Sequence, residues 1–238
     1  MAEQKVKLLK KEEIAKDTMA FHWEVPEGFE FKAGQFGDFT LINPSETDDK
    51  GNSREFSFVH APSENALTTA TRIRDTAFKR ELSNLAEGEV VNFEGPIGDF
   101  KLHKTESTPA VFLIGGIGVT AIRSMIAEAT KQQTNHHMTL LHSNSRPEDA
   151  PFQDDFKKFE EQNKNFKFVP VMTQVDSAEW KGETGHIDED MLKRYVSDVN
   201  EPIYYLSGPG GMVNAMYDML VEAGVNEDNI RAEEFYGY

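Results

Sequence analysis

The sequence contains no cysteine among its 238 residues. That excludes disulfides, thiolate zinc sites, cysteine-ligated iron–sulfur clusters and cysteine nucleophiles. It fits a reducing compartment. No apolar run approaches the roughly 18 residues needed to cross a membrane. The N-terminal stretch, basic at Lys5, Lys7, Lys10 and Lys11, lacks the apolar core and small-residue cleavage site of a secretory signal. The expectation is a cytoplasmic protein. Positive charge is also scarce, with 25 Lys and Arg against 41 Asp and Glu, for a net charge of −16. A nucleic-acid partner needs a basic face, so this balance argues against one. The excess is uneven. Residues 1–104 hold 14 basic and 19 acidic side chains, net −5, and residues 105–238 hold 11 and 22, net −11.

What is present reads as globular. Hydrophobic residues make up 38% and aromatics 11%, enough for a real core in one large or two small domains. The first hundred residues read as short strands separated by turn residues, at 6–9, 19–25, 35–42, 55–59, 67–73 and 90–93. Their spacing suits a six-stranded antiparallel β-barrel. One short helix is expected at 78–85. The character changes after His103, where a polar stretch ending in Pro109 reads as a linker. The run Ala110-Val111-Phe112-Leu113-Ile114 has no alternation, as in a strand buried on both faces. Helices at 121–131, 152–163, 188–195 and 211–223 then alternate with strands at 138–142, 166–172, 203–206 and 230–233. That order predicts a doubly wound α/β parallel sheet. The expected domains are 1–104 and 105–238.

Three motifs carry chemistry. Gly115-Gly116-Ile117-Gly118-Val119-Thr120 follows a buried strand and opens a helix. Glycines there let the backbone approach a pyrophosphate and aim N–H groups and the helix dipole at it. The same pattern also serves as a plain tight turn. Ser207-Gly208-Pro209-Gly210-Gly211-Met212 repeats the arrangement after another apolar strand. Two such turns at strand carboxyl ends can converge on one crevice, which raises the dinucleotide reading. In the first half, Arg54-Glu55-Phe56-Ser57 offers an arginine able to hold phosphate bidentately, though a buried Phe and a surface Arg explain it equally.

Taken together, the chain resembles the ferredoxin–NADP reductase superfamily, two-domain flavin reductases that exchange electrons with nicotinamide nucleotides. The likeness runs along nearly the whole chain, in the family's order. Besides the three motifs it includes Phe31-Lys32-Ala33-Gly34-Gln35-Phe36, Glu94-Gly95-Pro96-Ile97-Gly98-Asp99-Phe100 and the terminal Glu233-Glu234-Phe235-Tyr236-Gly237-Tyr238.

The resemblance implies a flavin domain followed by a nicotinamide nucleotide domain, with FAD as the flavin. Arg54 would hold the flavin phosphate. Phe56, where the family usually has Tyr, would pack on the isoalloxazine. Ser57 would hydrogen-bond near the hydride-accepting N5. Thr71, Arg72 and Ile73 would run their backbone along the flavin. Thr76, Ala77, Phe78 and Lys79 would bring a helix N-terminus and a charge to the pyrophosphate, in place of the family's commoner Gly/Ser-rich turn. Gly115, Gly116, Gly118 and Thr120 would take the nucleotide pyrophosphate, with Ala121 where the family often has Pro. Gly208, Pro209, Gly211 and Met212 would lie beside the nicotinamide, preceded by Ser207 in place of a common Cys. Phe235 would stack near the flavin, with Tyr236 and Tyr238 as alternatives, and Glu234 would serve a proton network or stand as a surface acid.

The nucleotide preference falls on the end of the second parallel strand. Ser143 and Arg146 there can hold a 2′-phosphate, and Glu148 and Asp149 would repel one. No acidic residue stands at the strand end itself to demand a free ribose, so the reading leans slightly to NADPH, with NADH still open. The seven histidines form no ligand set at a familiar spacing, so no metal is expected. The Met212, Met216, Met219, Leu220 stripe reads as core. The reading is an NAD(P)H-dependent flavoprotein oxidoreductase without its own iron–sulfur or haem domain, monomeric or homodimeric. Its electrons would leave to a separate acceptor, a ferredoxin- or flavodoxin-like protein or a small molecule. The competing class is a flavin- or nucleotide-binding sensor, or an electron-transfer subunit with little activity alone.

Overall fold

The computed structural model describes residues 4–175 and 180–234, the last of these by its backbone alone. The chain divides into two compact units. One runs to Lys101 and takes in Thr120–Glu128; the other comprises Leu102–Val119 and continues from Ala129.

The first unit is a curled antiparallel sheet built from β1 (Gln4–Ala15), β2 (Thr18–Trp23), β3 (Phe36–Thr40), β4 (Ser53–Ser57), β5 (Leu67–Arg72) and β6 (Val90–Ile97). Their order is β4-β3-β6-β1-β2-β5. The sequence dictates which face is inside. In β1, Val6 and Leu8 are buried while Lys5 and Lys7 are exposed, the period of two that a half-buried strand requires. The concave side is filled with aromatics. Trp23, Phe39, Phe56, Phe58 and Phe93 are all buried, with Phe39 5.2 Å from Trp23 and 5.0 Å from Phe93 between ring centres. Across the two sheet ends, Val59 N–H donates to Thr68 O at 2.8 Å. One helix, α1 (Ala77–Asn84), follows β5 and starts at Thr76, whose side chain accepts from Lys79 N–H. It presses Phe78 and Leu82 into the core.

The second unit is a parallel sheet with helices on both faces. Its strands are β7 (Ala110–Gly115), β8 (Met138–Asn144), β9 (Phe166–Met172), β10 (Glu183–Thr184), β11 (Ile203–Gly208) and β12 (Ile230–Glu234). Their order is β10-β9-β8-β7-β11-β12, every pairing parallel. Every residue of β7 is buried, as its unbroken apolar run required. Its helices are α3 (Gln153–Gln162), α4 (Glu189–Tyr195) and α5 (Gly210–Glu222), while α2 (Val119–Gln132) gives Thr120–Glu128 to the first unit and its two ends to the second. Helices α4 and α5 set Met191, Leu192, Val213, Met216 and Leu220 against Leu113, Leu141, Val171 and Leu206. On the other face, α3 packs Phe156 against Phe166, Phe168 and His142. The two-residue strand β10 had no signal in the sequence, being too short to show a period. Among the described residues, no helix is long and apolar enough to cross a membrane.

Chain order fixes where a ligand belongs. From β7 the chain moves outward through β8 and β9, then returns to the opposite side of β7 with β11. The switch point lies outside the carboxyl ends of β7 and β11, where open α/β sheets bind ligands.

Candidate functional site

Both glycine-rich turns stand at that switch point. Residues 116–118 form a short 3-10 turn between β7 and α2, and 209 leads directly into α5. Their glycines are needed first by each other. A Cβ on Gly118 would lie 2.8 Å from Gly208 N and from Ser207 C. One on Gly208, whose φ is +147°, would lie 3.0 Å from Gly115 Cα. One on Gly115 would meet Met212 and Pro209 at 2.6 and 2.9 Å. Backbone passes against backbone, and no side chain fits between. Gly211 differs, with nothing within 4 Å of its would-be Cβ, so it faces open space. Neither α2 nor α5 has a side-chain N-cap. No side chain takes up the first N–H groups of either helix, although Met212 N–H turns back onto Pro209 O at 2.8 Å, and an uncapped helix start favours an anion. Thr120 is buried in the first turn of α2.

Ser207 is fully buried, and its Oγ finds no hydrogen-bond partner among the described residues. Asn144, at the end of β8, leaves both side-chain amide atoms in the same condition. Such orphans are rare in folded proteins and cluster where something further is bound. His142 was not singled out as a site residue from the sequence. Its ring is fully buried, and Nε2 donates to Gly116 O at 2.8 Å.

A cleft of about 520 Å³ opens beside α5. Ile187, Met212 and Met216 give it apolar walls, and Ser143, His186, Asp188 and Glu189 are its polar groups. Asp188 caps α4 by accepting from Met191 N–H at 2.7 Å, and Glu189 pairs with Lys193. Arg146 is exposed and does not line this cleft. The structure therefore brings Ser143 together with Met212 and Gly211, and leaves Arg146 apart from them.

The first unit carries a site of another kind. Lys79 reaches Thr71 Oγ1 and donates to Arg72 O at 3.1 Å. Its ammonium lies 5.8 Å from the Phe56 ring centre. Burial, together with the positive charges of Arg54 and Arg74, pushes its pKa down to about 8. Among the described residues no carboxylate pairs with it. Arg54 lies over the Phe78 ring at 4.8 Å. It grips Asp48 with NH2 at 2.8 and 3.1 Å, while NH1 donates to the carbonyls of Lys50, Gly51 and Ser53. Ser57 is buried beside Phe56. Ile73 N–H donates to Asp17 O at 2.7 Å. The structure thus gathers Arg54, Phe56, Thr71, Arg72, Phe78 and Lys79 into one neighbourhood, with Thr76 capping α1. Arg74 and Asp48 belong to it and were not foreseen. Among the described residues Arg54 pairs with Asp48 and no carboxylate pairs with Lys79, so the residues present fit a flavin phosphate. Phe235, Tyr236 and Tyr238 lie outside the described residues, as does the side chain of Glu234.

Comparison with known proteins agrees with this fold. Residues 112–218 match the family model of the oxidoreductase NAD-binding domain. A solved ferredoxin NADP+ reductase from Neisseria gonorrhoeae, with bound FAD and NADP, superposes with a TM-score of 0.81 over 98% of each chain, at 22% identity. The likeness to that reductase is one of fold, and the NAD-binding-domain match covers a little under half of the chain. Two curated proteins are similar over most of its length. One component of the Na(+)-translocating NADH-quinone reductase of Pseudoalteromonas atlantica is 26% identical over 90% of this chain and 56% of its own. The anthranilate 1,2-dioxygenase electron transfer component of Acinetobacter baylyi is 28% identical over 84% of this chain and 57% of its own. The chain therefore spans little more than half the length of these two relatives.

Proposed function

We propose that this chain is a flavin-dependent oxidoreductase that accepts reducing equivalents from a nicotinamide nucleotide and passes them to a separate acceptor. The observation that carries the reading is the pair of glycine turns locked together at the switch point, each opening a helix without a side-chain cap. The cationic neighbourhood of Arg54, Arg74 and Lys79 supports the flavin half. FAD, when bound, would supply the hydride and single-electron chemistry that no side chain here can provide.

The chain's own residues have narrower tasks. Lys79, Arg54 and Arg74 would hold the flavin phosphates, and the N-terminus of α1 would add its dipole. Phe56 and Ser57 would pack and orient the ring system. Residues 115–118 would cradle the nucleotide pyrophosphate, and 208–212 would position the reacting end. Residues 1–104 would thus form the flavin domain and 105–238 the nucleotide domain. The cleft beside α5 bears on the nucleotide's identity. Asp188 and Glu189 line it and Arg146 does not, an arrangement that favours a ribose diol over a 2′-phosphate. NADH is the proposed substrate.

The test is an anaerobic titration of the purified protein with NADH and then NADPH, following the visible flavin bands. A yellow protein bleached faster by NADH fits the whole reading. A yellow protein bleached by neither nucleotide removes the oxidoreductase function. A colourless protein that takes up neither FAD nor FMN removes the flavin site.

A second reading has its own support. Two similar proteins are by name a component of a quinone reductase and an electron transfer component, so this chain can work as the electron-delivering member of a larger assembly. The net charge of −16 opposes long-range attraction to an acidic acceptor. Docking to one would need a local basic patch, and turnover would change steeply with salt.

A further inference from the structure

The glycines that allow the turn after β7 also deprive it of internal restraint. Gly116 stands at φ +51°, in the left-handed region, between Gly115 and a single larger residue, Ile117. Something outside the turn must hold it in one shape if it is to bind anything well. His142 is placed to do this. On β8 it lies opposite Ile114, one residue before the partner of Gly115. Its ring meets Phe156 edge-on at 6.1 Å and is fully buried.

The hydrogen bond fixes the tautomer. A carbonyl oxygen only accepts, so Nε2, 2.8 Å from Gly116 O, carries the proton. Nδ1 is then a bare lone pair, and it has no partner among the described residues. Burial holds the imidazole neutral, with its pKa pushed down to about 4. The ring therefore brings the turn no charge near neutral pH, only a donor. That donor has a directional consequence. In a trans peptide the C=O and the following N–H point in opposite directions. With the Gly116 carbonyl drawn onto the buried ring, the N–H of Ile117 points away from it.

We infer that His142 is a positioning residue for the nicotinamide nucleotide: it anchors the Gly116 carbonyl through Nε2–H and so orients the turn's amide toward the pyrophosphate. The inference rests on the nucleotide reading of this turn given above.

The test is calorimetric titration of the flavin-loaded protein with NAD+ and NADP+, comparing wild type with His142→Gln, His142→Asn and His142→Phe. Glutamine places an amide N–H at about the reach of Nε2. Asparagine falls one atom short, and phenylalanine keeps the ring without the donor. Affinity should follow the donor, with Gln within about threefold of wild type and both Asn and Phe weaker by about tenfold. If packing alone matters, Phe stands with His and Gln falls away, and the inference is overturned. Equal affinities in all four proteins overturn it as well. Should the Phe variant not fold, Gln against Asn decides, since both are polar and only one reaches. A wild type that binds neither nucleotide removes the nucleotide reading itself, and the inference with it. That result is recognised before any variant is made.

Discussion

On the proposed reading the two units would meet the same demand, holding an anionic cofactor, with opposite materials. In the first unit the candidate site is made of side chains. Lys79, Arg54 and Arg74 bring charge, Phe56 and Phe78 bring ring faces, and Asp48 ties Arg54 down. In the second it is made of backbone. Gly115, Gly118 and Gly208 contribute only the absence of a Cβ, and two uncapped helices contribute their N–H groups. A side-chain site fails by loss of a group. A backbone site fails by addition of one. Substitutions should separate the two units along that line.

The largest effect is expected from adding a methyl group to the backbone site. Gly118 has an ordinary helical φ of −56°, so alanine there carries no conformational penalty of its own. The cost is steric, since the new Cβ would lie 2.8 Å from Gly208 N, a backbone atom that cannot swing aside. Gly118→Ala should lower stability by about 3 kcal/mol, the upper range for overpacking, and disrupt nucleotide binding with it. Denaturant unfolding gives the first and NAD+ titration the second. A variant as stable as wild type would mean that the two turns are not locked together.

Acid should act on the same unit through its buried histidines. His142 titrates near 4 in the folded chain, against about 6.5 unfolded. The unfolded state therefore takes up the proton first. The stabilising contribution is complete above about pH 6.5 and is lost as pH falls toward 4, by about 3 kcal/mol over the interval. His103 adds in the same direction. Burial holds its pKa below the ordinary value, with Nε2 donating to Thr108 O and Nδ1 accepting from the Tyr205 hydroxyl. Carboxylates also titrate in this window, so the measurement is the difference between wild type and His142→Gln in unfolding free energy at pH 7.5, 6 and 5. A difference independent of pH would show that His142 is not buried as a neutral ring.

How much of this was readable in the sequence follows from the same contrast. The helix–strand alternation of the second unit was legible because buried parallel strands and amphipathic helices differ in period, and β9 stands at 166–172 as its apolar run indicates. The glycine turns were legible as turns. That Gly118 and Gly208 are needed by each other was not, because a contact between residues ninety positions apart leaves no local pattern. Arg54 was visible through its motif, while Asp48 and Arg74 gained meaning only when the curl of the sheet brought them to Lys79. His142 was hidden for a related reason. A histidine closing an apolar strand reads as core, and only the fold shows that its one proton points at a carbonyl of the turn.

The side-chain site predicts a different response. Lys79→Met keeps most of the aliphatic stem and removes the charge. It should weaken flavin binding by about 2 kcal/mol, roughly 30-fold, the range for a charge-assisted hydrogen bond, with little loss of stability in the flavin-free protein. Because the Lys79 pKa lies near 8, flavin affinity in wild type should also fall as pH rises from 7 toward 9, and that slope should vanish in the variant. Fluorescence titration with FAD checks both. An unchanged affinity would place the flavin phosphate elsewhere.

The smallest expected effect sharpens the comparison most. Gly211 lies in the first turn of α5, where a Cβ would touch nothing within 4 Å. By the stability argument alone, Gly211→Ala should be neutral or should raise stability by up to about 1 kcal/mol, since alanine is the better helix former. It stands in sharp contrast to Gly118→Ala in the same pair of turns. If the open space at Gly211 is ligand space, the same methyl group that steadies the helix will obstruct the nucleotide. Unfolding free energy and NAD+ affinity should then move in opposite directions, the first upward and the second downward by several-fold. A glycine kept only for the fold cannot give that result. Stability that falls would point to a structural need at 211, and affinity that holds would leave the open face of α5 without a part in nucleotide binding.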